Sequence, residues 1–186
     1  MKVTEGKKIY FASDNHLGIP DSRSSLIREK KFVKWLDTIK VDAHSIYLLG
    51  DLFDFWFEYK TVVPKGFTRV LGKIAEIADS GIPIYFFTGN HDMWVRDYFQ
   101  LELGVKVITE PQQFKINEKS FFIGHGDGLG PGDTSYKLMK KFITGNKFFK
   151  WCFKWVHPDI GIKVGQFLSK EKKLMSRKKD IGDIEN

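Results

Sequence analysis

The chain has 186 residues, 42% of them hydrophobic with 17 Phe and 5 Trp, enough for one domain with a real core. Its single cysteine, Cys152, excludes an intrachain disulfide framework and suits a reducing cytoplasm; no cleavable leader or apolar run near the ~18 residues of a membrane span is legible. The net charge of +7 is concentrated, because residues 1–136 hold 17 basic against 18 acidic side chains, whereas residues 137–179 hold 13 basic against only Asp159 and Glu171. Such a basic segment attracts nucleic acid, anionic lipid or a phosphorylated substrate.

In chain order, Ile9-Tyr10-Phe11-Ala12 reads as a buried strand that ends in Ser13-Asp14-Asn15-His16. Ser24 to Ile39 carries Leu26, Ile27, Phe32, Val33, Leu36 and Ile39 among charges, which predicts an amphipathic helix. A second strand, Ile46-Tyr47-Leu48-Leu49, runs into Gly50-Asp51-Leu52-Phe53-Asp54. Phe67 to Ala78 repeats the helical pattern until Gly81-Ile82-Pro83 stops it. A third strand, Ile84-Tyr85-Phe86-Phe87, leads to Gly89-Asn90-His91-Asp92. Short strands are expected at Val105 to Ile108 and Phe114 to Ile116, with Asn117-Glu118-Lys119 as a turn. Phe121-Phe122-Ile123 then reads as a further buried strand ending in Gly124-His125-Gly126-Asp127.

Beyond a loop rich in glycine, Tyr136 to Val156 predicts a helix with two apolar stripes, where an ordinary surface helix has one. Leu138, Phe142, Phe149, Cys152, Phe153 and Val156 form the first stripe; Phe148, Trp151 and Trp155 form the second, beside lysines. His157-Pro158 ends it, and Asp159 is expected to cap a further helix reaching about Lys173. Strand-helix alternation of this kind predicts a layered α/β domain.

Four apolar runs thus end in metal-seeking side chains. In an open α/β sheet, ligands bind in the crevice beyond the strand carboxyl ends. Asp14, His16, Asp51, Asn90 and His125 are therefore expected around one crevice, and their carboxylate, amide and imidazole groups suit divalent first-row metals. Asp14 and His16, two apart, share a side if the strand persists. Asp51 is placed to bridge two ions, and Asp54 reads as a helix-start cap or a support rather than a ligand. His91 is free to protonate a leaving oxygen, with Asp92 holding or polarising an imidazole. Each block alone has a plainer reading as a polar turn; the four in this order point to a two-metal hydrolytic site.

Asp-x-His, Gly-Asp-x-x-Asp, Gly-Asn-His-Asp and Gly-His-Gly-Asp in this order resemble the calcineurin-like metallophosphoesterases. Ser13 to Gly18, Gly50 to Trp56 and His125 to Asp133 resemble more narrowly the UDP-2,3-diacylglucosamine diphosphatases of lipid A biosynthesis. The resemblance implies a layered αββα sandwich as one domain over 1–186, with residues 133–178 as a helical aromatic-basic cap. It implies hydrolysis of the diphosphate bond, giving UMP and 2,3-diacylglucosamine 1-phosphate, with two Mn2+ as cofactor. By motif, Asp14 and His16 would hold one ion, Asn90 and His125 the other, and Asp51 both. Asp51, Asn90 and His91 would act in catalysis. Asn90, His91, Asp133, Tyr136, Ser169, Lys173 and Arg177 would contact substrate. The expected place is the cytoplasm, on the cytoplasmic face of the inner membrane, with a nucleotide-linked lipid and an anionic membrane surface as partners and no nucleic acid.

Phe142, Phe148, Phe149, Trp151, Phe153 and Trp155 would sheathe acyl chains, while Lys140, Lys141, Lys147 and Lys150 attract the diphosphate. The superfamily's closing Gly-His-x-His block has no counterpart, since His44 and His157 lie outside every motif. A chain that continues past Asn186 into closing strands is the expectation. Two alternatives stay open: a phosphodiesterase or nuclease of the same superfamily, and a non-catalytic binding module of the same fold.

Overall fold

The computed structural model describes residues 1–127, 151–153, 155–165 and 167. Its centre is a parallel sheet in the order β1-β2-β3-β4, formed by β1 (Lys8–Ala12), β2 (Ala43–Leu48), β3 (Ile84–Phe87) and β4 (Lys106–Ile108). Between successive strands lie α1 (Ser22–Ile39), α2 (Thr68–Asp79) and the short α3 (Tyr98–Leu101). Parallel strands need crossovers of this length, and helices supply them. The layered α/β expectation holds.

Side chains alternate between the two faces of the sheet. Ile46, Leu48, Ile84 and Phe86 turn to the helices and pack with Phe32, Leu36 and Ile39 of α1 and Val70, Leu71, Ile74 and Ile77 of α2. Tyr47, Tyr85 and Phe87 turn the other way, onto a hairpin of β5 (Gln112–Ile116) and β6 (Lys119–Ile123). Tyr47 stacks on Tyr85 at 4.6 Å and meets Phe114 edge-on at 5.5 Å. The hairpin turns at Asn117, whose φ of 52° suits asparagine in a tight turn. Asn117 also ties down the N-terminus, accepting from Val3 N at 2.9 Å and donating its own N–H to Met1 O at 2.8 Å.

Two expectations change here. The strand before His125 does not join the parallel sheet of the other three ligand strands; it pairs antiparallel in a separate two-stranded sheet, because a short turn after β5 favours a hairpin. Nor are all the apolar runs buried. Phe11 on the edge strand β1 is 45% exposed and Phe122 on β6 is 68% exposed, since both lie at the margin of the described sheets.

Helix ends show where local signals suffice. Asp21 caps α1, accepting from Arg23 N and Ser24 N at 2.9 Å each. The start of α2 has no such residue: Phe67 precedes it at φ 59°, without a capping side chain. The buried carboxylate of Glu29 on α1 instead accepts from Arg69 N and Val70 N at 3.0 and 3.1 Å. At the other end of α2, Gly81 takes φ 86° and its N–H bonds Ala78 O, the left-handed stop that the sequence predicts.

Of the basic segment, residues 151–153, 155 and 158–165 are helical. Trp151 and Trp155 face outward, at 57% and 75% exposure, while Cys152, Phe153 and Val156 are half-buried, as two stripes require. Asp159 does not cap the second run. His157 O accepts from Ile160 N and Gly161 N, so His157 stands at the cap and Pro158 opens the helix, where its missing N–H costs nothing. Among the described residues, no helix is long and apolar enough to cross a membrane.

Candidate metal centre

Asp14 and His16 follow β1 but not as a continuing strand. Both take left-handed backbone, at φ 56° and 43°, and Asp51 after β2 does the same at φ 53°. Non-glycine residues rarely adopt this region, and such strain collects at functional sites. The loops after β1 and β2 run side by side, with His16 N donating to Asp51 O and Leu17 N to Leu52 O, both at 2.9 Å. Paired turns, rather than strand alternation, bring Asp14 Oδ1 to 3.7 Å from His16 Nε2.

Close approach of the next two loops depends on glycine. A side chain on Gly50 would meet Gly89 N at 2.7 Å and His125 Nδ1 at 2.8 Å, and one on Gly89 would overlap Asp51 Oδ1. With both positions bare, Asp51 becomes the hub of the cluster. Its carboxylate is 3% exposed, and Oδ1 accepts from His91 N at 3.0 Å. Its Oδ2 lies 3.5 Å from His125 Nε2, 3.7 Å from His16 Nε2 and 3.8 Å from His91 Nε2.

The imidazoles are aimed by their other nitrogens. His125 Nδ1 donates to Leu49 O at 2.6 Å and His91 Nδ1 donates to Asp54 O at 2.8 Å, so both rings turn Nε2 toward Asp51. A hydrogen bond at one ring nitrogen that frees the other is how metal-binding histidines are held. His16 and His91 meet edge-on, ring centroids 4.8 Å apart. Asp54 is 2% exposed; its Oδ1 lies 3.5 Å from His16 Nδ1 and 3.8 Å from His91 Nδ1. No helix begins there, so Asp54 is not a helix cap; its carboxylate sits behind the two rings, and its backbone O aims His91.

Asp92 has a different task from the one its sequence position suggests. It is wholly buried and accepts from Leu52 N at 2.9 Å and Gly89 N at 2.7 Å, pinning the β2 loop to the β3 loop. It makes no imidazole contact among its described hydrogen bonds. Burial and the neighbouring Asp51 charge push its carboxyl up to about 7, against the pull of those N–H groups.

The same physics sets the other groups. Burial would raise Asp51, but the His125 ring and the His91 N–H outweigh it and hold the carboxyl below its usual range. Burial likewise opposes charge on His125, yet Asp51 and Asp127 lift its imidazole to about 9. Burial wins at His91 and lowers its imidazole.

These residues fit a divalent cation. Asp14, His16 and Asp51 offer ligand atoms within 4.8 Å of one another, as do His16, Asp54 and His91. The nitrogen-to-oxygen gaps of 3.5 to 3.8 Å about Asp51 Oδ2 are long for hydrogen bonds. They match donors that share an ion, roughly 3–4 Å apart when each lies about 2.1 Å from the metal. His16 Nδ1, buried without a hydrogen bond, completes the picture of a cluster built for something other than itself.

The comparisons with known proteins agree with this geometry. Residues 7–165 match the calcineurin-like phosphoesterase family. The chain belongs to that family. A Porphyromonas gingivalis protein named UDP-2,3-diacylglucosamine hydrolase is 39% identical over 180 residues, 95% of this chain and 68% of that protein. Proteins of the same name from Histophilus somni and Actinobacillus succinogenes are 29% and 30% identical, the chain covering 72% and 65% of their lengths.

As a metallophosphoesterase, the chain is a hydrolase that works with divalent metal. The structure gathers Asp14, His16, Asp51, His91 and His125, and carries Asn90, half-buried, on the turn between Gly89 and His91. Asp133, Tyr136, Ser169, Lys173 and Arg177 lie outside the described residues, as do the lysines at 140, 141, 147 and 150. His44 sits within β2 and His157 at the helix junction, both away from the cluster. Of the two sequence readings of Asp54 the support holds and the cap does not, while Asp127, 3.5 Å from His125 Nε2, was passed over. Both were signalled by motif: each is the second aspartate or final residue of a ligand block.

Proposed function

We propose that this metallophosphoesterase hydrolyses the diphosphate bond of UDP-2,3-diacylglucosamine to UMP and 2,3-diacylglucosamine 1-phosphate. The observation that carries the reading is the convergence of three histidines on Asp51 Oδ2, at the meeting of three loops, in a chain whose relatives bear that activity in their names. Asp14, His16, Asp51, Asn90 and His125 would hold the divalent ions, with Asp51 at the centre of the set. Mixed carboxylate, amide and imidazole donors suit Mn2+. When bound, such ions supply Lewis acidity, polarising phosphoryl oxygens and making water a nucleophile at neutral pH.

The chain's own residues do the rest. His91 enters the cycle neutral, because burial lowers its imidazole. Its Nδ1–H is committed to Asp54 O, so Nε2 is free to take the proton that the attacking water gives up and pass it to the leaving oxygen. Asp54 O keeps the His91 ring at its working angle, while the Asp54 carboxylate faces His16. Phe57, Trp94 and Phe153, with ring centroids 4.7 to 5.0 Å apart, form an aromatic bed suited to acyl chains.

Peripheral attachment to the cytoplasmic face of an anionic membrane has its own support. The helical run at 158–165 packs inward through glycine: side chains on Gly161 and Gly165 would overlap Tyr59 and Phe55. Ile160, Val164 and Phe167 face outward with Trp151 and Trp155. Tryptophan and aliphatic groups among lysines suit the headgroup boundary. The deciding assay follows substrate by phosphorus NMR with Mn2+ and with chelator. UMP should appear only with metal. Substrate left intact in both tubes would refute the reading, and cleavage of RNA or DNA instead would favour a phosphodiesterase.

A further inference from the structure

A groove of about 430 Å³ leads away from the metal centre, lined by Leu17, Gly18, Ile19, Asp54, Phe55, Pro64, Lys65, Phe67, Asp159, Ile162 and Lys163. Its size is within the range of small-molecule sites, roughly 300–1,000 Å³. It is continuous with the cluster, because Asp54 belongs to both and Leu17 directly follows His16. Its far wall is held close by Gly165, which leaves no room for a side chain against Phe55. On the near side, the same loop as His16 packs on Phe67: a side chain at Gly18 would touch Phe67 Cζ at 3.4 Å.

The lining alternates in character. Phe55, Phe67, Pro64 and Ile162 supply flat apolar surface, while Lys65 and Lys163 are exposed cations with no ion pair among the described residues. Asp159 adds an acceptor. An acyl chain gains only from unbroken apolar contact, and two lysines and two aspartates interrupt it here. A nucleotide uses every part: its ring stacks on an aromatic face, its ribose hydroxyls donate to a carboxylate, and its phosphate draws the lysines.

We infer that this groove receives the pyrimidine nucleotide half of the substrate, with its phosphate at the metal centre and its ring toward Phe55 and Phe67. The assignment rests on the diphosphatase reading and adds a location to it. It divides the substrate between two surfaces, the nucleotide in the mixed groove and the acyl chains on the aromatic bed around Trp94.

Titration of UMP into the full chain, metal-free and with Mn2+, followed by calorimetry, tests it. One UMP should bind per chain. Lys65→Glu and Lys163→Glu, both at exposed positions that leave the core untouched, should each weaken binding at least tenfold. Lys31→Glu, an equal charge change on the outer face of α1, should leave it unchanged. No UMP binding, equal binding by all three variants, or displacement of UMP by laurate would each overturn the assignment. Failure of the wider reading looks different: substrate would then survive with Mn2+ whatever UMP does, whereas a hydrolysing enzyme indifferent to Lys65→Glu would lose only the groove.

Discussion

At the scale of single residues, Asp51 differs from its neighbours in serving several partners at once. Its Oδ2 faces three imidazoles and its Oδ1 holds the His91 backbone, whereas His91 faces the cluster through one nitrogen. His91→Ala should therefore lower kcat about a hundredfold, the usual worth of a proton-transferring group. Asp51→Asn should fall further, because it loosens both ions. Equal residual rates for the two variants would contradict the shared role. His125 makes a second, pH-based prediction. Its imidazole titrates near 9 when no metal is bound, above its ordinary value, so below that pH a metal must displace its proton. Metal affinity should climb with pH, by up to about tenfold per unit, and level off near pH 9. The sign for folding is the reverse: raised in the fold, His125 stabilises the metal-free chain below its ordinary value and loses that contribution as pH rises through 9. Calorimetry in buffers of different ionisation heats would count the proton released.

At the scale of elements, the helices were legible because a 3.6-residue period records most of the buried face, although on α1 Ile27 is exposed while Ser25 and Glu29 are buried. Gly81 marked one of their ends by familiar chemistry, whereas α1 begins two residues before the expected Ser24, capped by Asp21. The start of α2 was not legible, since its donors are satisfied by Glu29, about 40 residues earlier in the chain. Glu29→Ala leaves the buried Val70 N–H and the part-buried Arg69 N–H without their acceptor and should cost about 1–2 kcal/mol, the range of a lost cap. Thermal unfolding would register that as a fall of roughly 2–8 °C for a chain of this size. Gly89→Ala should act on the site itself. Its methyl would press Asp51 from the cluster, at about 1–3 kcal/mol of overpacking, and abolish metal binding in titration even where circular dichroism shows a folded chain. The hairpin of β5 and β6 shows the limit of strand patterns: an apolar run predicts a strand but not which sheet it joins.

At the scale of the whole molecule, charge and greasy surface are separated from chemistry. The first 136 residues are nearly neutral and carry the metal cluster, while residues 137–179 hold the basic excess. On the described part of that segment, glycine faces the body and large apolar side chains face out. Vesicles containing anionic lipid should therefore bind the chain, with attraction of about 1 kcal/mol per basic residue near the surface. Replacing Trp151 and Trp155 by Ser should weaken that binding without changing the thermal midpoint, because both rings are exposed. Raised salt should weaken it as well. Binding that ignores both changes would argue for a different docking face.

From the residues alone came the candidate ligands, most of the buried face of each helix, the family and the separated basic segment. All are local properties: a period, a motif, a run of like charges. Only the tertiary structure decided that left-handed turns present Asp14 and His16, that Asp92 ties two loops instead of an imidazole, and that the backbone O of Asp54 aims His91. It alone showed Gly50 and Gly89 close enough to let those loops meet, and Gly161 and Gly165 turned inward. Each of these depends on partners far apart in the chain, and what brings them together is packing, which no local pattern encodes.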